Sequence, residues 1–98
     1  MKQTFYVLRI ESSTNPRSWP VGRFLKYLEN PPVVEWDFGP GNGAPRWSTV
    51  YEASCADRFT SIEAAQARAN AFTAHHNNKF QTIVLGIYKV TIDIEKVS

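Results

Sequence analysis

The chain has 98 residues, 43% of them hydrophobic and 13% aromatic, which suits a single domain (1–98) burying roughly 60 to 65% of its unfolded surface around one core. Eleven basic residues against nine acidic ones leave a net charge of +2, which excludes an acidic mimic of nucleic acid and falls short of the excess of a strong nucleic-acid binder. A lone cysteine, Cys55, excludes an internal disulfide and fits a reducing compartment.

The N-terminal run MKQTFYVLRIESS is too short an apolar stretch for a signal peptide, and no segment approaches the length of a membrane span. The expectation is a cytoplasmic protein with no membrane partner. Cys55 lies between Ser54 and Ala56 with Asp57 close by, surroundings that do not favour a thiolate, and it is expected to be a small half-buried residue.

From Thr4 to Glu11 the chain predicts a strand with Tyr6, Leu8 and Ile10 on one face and Phe5, Val7 and Arg9 on the other. Bulk on both faces places it inside the sheet. Ser12 to Pro16 then form a polar, turn-rich loop. Ser18 to Asn30 supports two readings. As a helix it has Ser18 as cap, Pro20 in the first turn, the spacing Val21, Phe24, Leu25, Leu28 and a stop at Asn30 before Pro31 and Pro32. As a strand it has Val21, Phe24 and Tyr27, with Gly22 weakening any helix.

Val33 to Phe38 alternates as a half-buried strand, Gly39 to Pro45 reads as a loop, and Arg46 to Tyr51 alternates again, so the pair predicts a hairpin. Thr60 followed by Glu63 forms a T-x-x-E capping box that starts a helix over about Ser61–His76. Ile62, Ala65, Ala69 and Phe72 give that helix an apolar stripe, and six alanines between Ala64 and Ala74 let it lie close against a sheet. Phe59 is placed to pack beside its first turn. Asn77 and Asn78 suit its end, since asparagine tolerates the left-handed conformation. Phe80 to Val97 carries the longest strand signal, with Gly86 marking a bulge, a bend or a break. The sum is an α+β fold: an antiparallel sheet of four to five strands with one main helix packed on one face.

Chemistry is thinly signalled. Gly39, Gly41 and Gly43 lack the following helix that a phosphate loop requires. His75 and His76 are adjacent on a helix, so they point about 100° apart and do not chelate as an i, i+4 pair would; a positive charge there mildly favours the helix C-terminus. No Ser-His-Asp, HExxH or paired-cysteine arrangement occurs. The expectation is a non-enzyme without cofactor or metal. The candidate partner-binding residues form a basic and aromatic set: Arg17, Trp19, Arg23, Lys26, Tyr27, Arg46 and Trp47, with Asn42 in the glycine-rich loop. Arginine and aromatic side chains dominate protein interface hot spots, and the same mixture stacks on bases and neutralises phosphates. The competing reading makes Trp19 and Trp47 core residues with basic neighbours turned to water.

The succession FYVLRI, GRFLKYL and RWST, followed by ADRFTSIEAA, an alanine-rich helix and a last strand, resembles small accessory proteins of bacteriophages, the group that includes anti-CRISPR proteins and other inhibitors of host machinery. The resemblance implies that GRFLKYL pairs as a strand. It also implies a protein that works in the host cytoplasm by binding a host protein or defence complex, and it brings over no catalytic residue. The alternative is a nucleic-acid-binding module that presents Arg46 and Trp47 on a hairpin. A self-associating protein using an exposed strand edge is a third reading.

Overall fold

A computed structural model describes residues 1–28 and 46–95. Its elements are β1 (Lys2–Ser13), β2 (Phe24–Leu28), β3 (Arg46–Val50), a 3-10 turn (Ala53–Cys55), α1 (Ile62–His76) and β4 (Ile83–Asp93). The strands form one antiparallel sheet in the order β3-β2-β1-β4, with α1 across one face. This is the expected α+β architecture, with four strands among the described residues. No helix among the described residues is long and apolar enough to cross a membrane.

β1 is interior because it carries apolar side chains on both faces. Leu8 and Ile10 join Leu25, Ile83 and the helix residues Ala65, Ala69 and Phe72 in the main core. Phe5 and Val7 face the other way and pack with Ala56, beside Phe24, Val50, Val90 and Ile92. β4 follows the same division along its length: Ile83, Leu85 and Ile87 serve the helix face, and Val90 and Ile92 serve the second face.

Ser18–Asn30 contains β2, not a helix. Gly22 has φ of 92°, a left-handed conformation that breaks the helical reading and turns the chain into Phe24–Leu28. Alternation then sends Leu25 into the helix-face core and Phe24 to the second face. β3 pairs with β2, Trp47 opposite Tyr27 and Thr49 opposite Leu25. The expected strand Val33–Phe38 and the loop Gly39–Pro45 lie outside the described residues.

β1 and β2 share the single register pair Arg9↔Phe24, then diverge. Asp57 to Phe59 fills the gap: Phe59 and Tyr6 exchange two backbone hydrogen bonds of 2.9 Å, and the Asp57 amide donates to the Leu25 carbonyl at 3.3 Å. The Asp57 carboxylate accepts from the Tyr27 backbone N–H at 2.7 Å. The connection thus carries the chain from Ala56 on the second face to Phe59 on the helix face, satisfying strand amides that the divergence would leave unpaired.

Three local details differ from expectation. The cap of α1 is Ser61, whose hydroxyl accepts from the Ala64 amide at 3.1 Å, one residue beyond the Thr60–Glu63 box. Ile62 is 52% exposed, so the buried stripe begins at Ala65. Asn77 ends the helix in an extended conformation, not a left-handed one, and its side-chain amide bonds both the N–H and the carbonyl of Ile83 at 2.9 and 3.0 Å, tethering the start of β4.

Gly86 neither breaks nor bulges β4, which runs through it. The register shift lies on β1 between Ile10 and Ser12. Glu11 folds back over Gly86, where an added Cβ would collide with its carboxylate, and holds Arg9 at 3.2 Å.

Candidate functional site

α1 packs chiefly on β1 and β4, so its flank beside β2 and β3 is left open. Two parallel stripes run along it. Ala65, Ala69, Phe72 and His76, at spacings of four, three and four, face the core side. Ala64, Arg68, Ala71 and His75 repeat that spacing one residue earlier and line an open groove of about 880 Å³. Tyr27, Trp47 and Phe59 line it from the sheet side. Three small alanine side chains, including Ala67, make one wall shallow.

The sheet wall is an aromatic assembly. Tyr27 and Trp47, opposite each other across β2 and β3, have ring centroids 4.8 Å apart. Trp47 meets Phe72 edge-on at 5.2 Å, and Trp19 meets Phe72 at 5.1 Å and His76 at 4.7 Å. Edge-to-face contacts of this kind are favourable beyond simple area burial. The Arg68 guanidinium lies 5.0 Å from the Tyr27 ring centroid and 5.6 Å from that of Trp47, bridging helix to sheet across the groove.

His76 joins this assembly at 4.4 Å from Phe72, and its Nε2 is buried without a hydrogen-bond partner among the described residues. Burial among the rings holds its pKa below the ordinary 6.5, and the neighbouring His75 adds to the shift. The favourable effect of positive charge at a helix C-terminus is therefore outweighed at this position.

The predicted site residues separate. Trp19 and Trp47 gather around Phe72 and His76 with Tyr27 against Trp47, and both tryptophans are half-buried against the main core, while Trp47 and Tyr27 also line the groove. Lys26 points to the opposite face, where its ammonium donates to the Cys55 carbonyl at 3.2 Å. Arg23 stacks at 3.5 Å on the ring of Tyr51, which is 76% exposed, at the far end of the β2–β3 pair. Arg17 is exposed in the loop after β1. Arg46 opens β3 opposite Leu28, and Asn42 lies outside the described residues. Cys55, expected half-buried, is exposed, because the turn puts Ala56 against the sheet.

Sequence reasoning missed Arg68, Phe59, His75 and His76. The readable signal was the second stripe, Ala64, Arg68, Ala71 and His75, running beside the apolar one with small residues on either side of an arginine. Among the described residues, no three side chains of metal-ligating type converge. Compared with protein-family models, curated proteins and solved structures, the chain matches none.

Proposed function

We propose that this protein is a non-catalytic binding module that docks a larger protein in the groove between α1 and the β2–β3 pair, and so inhibits or modulates it. The partner in this reading is a host protein or defence complex met in the host cytoplasm, the role that the resemblance to phage accessory proteins implies. One observation carries the reading: Tyr27, Trp47 and Arg68 are gathered around one open apolar groove. Those three residue types recur as interface hot spots because each combines a large apolar surface with a polar handle. Alanines along the helix wall leave room for an incoming side chain.

The distribution of cations favours protein over nucleic acid. Stacking on bases needs aromatic rings beside several phosphate-binding cations. Among the described side chains, Lys26 is on the opposite face and Arg23 is engaged with Tyr51, while Arg68 lines the groove. Capture from a bacterial host lysate tests the reading. A defined protein should be retained by the bound chain and should survive nuclease treatment; retention that disappears with nuclease, or no retained protein, contradicts it.

A further inference from the structure

We infer that β4 is the contact through which two copies of this chain associate, pairing antiparallel about a twofold axis at Thr91 to make one sheet continuous through both copies. β4 is an edge strand, bonded to β1 alone among the described residues. Helix cover serves only its first half, Ile83, Leu85 and Ile87. Beyond Tyr88 the strand continues with the start of β1 as a two-stranded ribbon, pairing Thr4↔Thr91, Gln3↔Ile92 and Lys2↔Asp93. Two strands alone are marginal in water, and this ribbon carries an apolar face of Phe5, Val90 and Ile92, with Ile94 43% exposed next to it.

The backbone fixes which groups are free. Met1 and Ile94 exchange both hydrogen bonds, at 3.1 and 2.6 Å. By antiparallel alternation Ile92, Val90 and Tyr88 direct their backbone groups to β1, while Asp93, Thr91 and Lys89 direct theirs to the open edge. The charges then choose the register. With Thr91 opposite Thr91 of the second copy, Lys89 stands opposite Asp93 twice, and Val90 stands opposite Ile92 twice on the second face.

Neighbouring registers are poorer. An axis at Lys89 sets the two lysines against each other, and one at Val90 leaves Lys89 opposite Thr91. One at Ile92 keeps opposite charges, Lys89 with Glu95, but places that pair beyond the end of β4, whereas the Thr91 axis holds both charge pairs within the strand. A lone edge lysine ordinarily discourages pairing. Here the acidic residue four positions on, on the same face, makes the edge complementary to itself. The Thr91 axis also sets the two helices at opposite ends, so that they do not compete for space.

Sedimentation equilibrium of the full chain between about 1 μM and about 1 mM, a range matched to micromolar association, tests the proposal. The wild type should approach twice the chain mass. Lys89→Glu sets like charges opposite in both pairs and should weaken the dimer about tenfold or more. Thr91→Pro removes an amide that points away from β1, so it should abolish the dimer while keeping the wild-type circular dichroism. If Thr91→Pro fails to fold, Lys89→Glu, an exposed change, decides alone. A wild type that stays monomeric throughout, or a dimer unaffected by Lys89→Glu, overturns the proposal.

Discussion

His76 is the residue at which the helix terminus and the aromatic core pull in opposite directions. Its imidazole packs against Trp19 and Phe72, and burial keeps its folded pKa below 6.5. The unfolded chain therefore takes up this proton first as pH falls. The stability that neutral His76 contributes is complete above the unfolded value and is lost as pH drops through 6.5 toward the lower folded value. Urea unfolding of the wild type should show a falling midpoint over that interval. His76→Phe should flatten that part of the curve; an unchanged slope would mean that another group is responsible. Ser61 gives a second residue-scale expectation. Ser61→Ala should cost about 1 kcal/mol of unfolding free energy, the usual worth of an N-cap, while Thr60→Ala should cost at most a few tenths, as for a surface change. The reverse order would restore the Thr60 capping box.

At the scale of elements, the divergence of β1 from β2 organises the helix side of the molecule. Asp57 to Phe59 enters the opening, pairs with both strands and delivers the chain to α1. Asp57→Ala removes the acceptor for the part-buried Tyr27 amide and should destabilise by roughly 1 to 3 kcal/mol, whereas Asp57→Asn keeps an oxygen there and should cost less. Chemical denaturation of the two variants side by side checks both the size and the order. The elements themselves were largely legible: alternation gave β1 and its two apolar faces, and the Thr60–Glu63 pattern with the alanine-rich stripe gave α1 to within a residue of its start, although Ser61 is the cap. β2 was ambiguous because Val21, Phe24, Leu25 and Leu28 fit a helical spacing; only the left-handed Gly22 and pairing with Trp47 and Thr49 decide for a strand. The wedge of Asp57–Phe59 was not legible, since nothing local says that two distant strands will part to admit it. The candidate site was half legible. Tyr27 and Trp47 stood out by type, but alternation around Leu25 sends Lys26 to the other face, and Arg68 enters through a helix stripe that its own neighbours disguise.

At the scale of the whole molecule, the helix leans over β1 and β4, and this placement leaves a groove on the side of β2 and β3 while β4 keeps its outer edge. The two surfaces use different physics. The groove offers aromatic rings, a bridging arginine and an apolar helix wall; the β4 edge offers backbone hydrogen bonds ordered by charge. They sit on opposite borders of the sheet, so one can be altered without the other. Arg68→Ala removes the contacts to Tyr27 and Trp47, which should cost stability only about 0.5 to 1 kcal/mol, yet it should weaken partner binding by tenfold or more if Arg68 is a hot spot. Thermal unfolding beside a binding titration separates the two effects.

The docking groove is tested most directly by quantitative capture from host lysate with Ala67→Arg, a substitution on the exposed helix wall that fills the groove and leaves Phe72 and Trp47 in place. Lys89→Glu, altered only at the β4 edge, serves as the control, with circular dichroism confirming that both variants fold. Loss of the captured protein with Ala67→Arg and its retention with Lys89→Glu is the predicted result. Capture of the same protein at undiminished yield by Ala67→Arg would contradict the groove as the docking site.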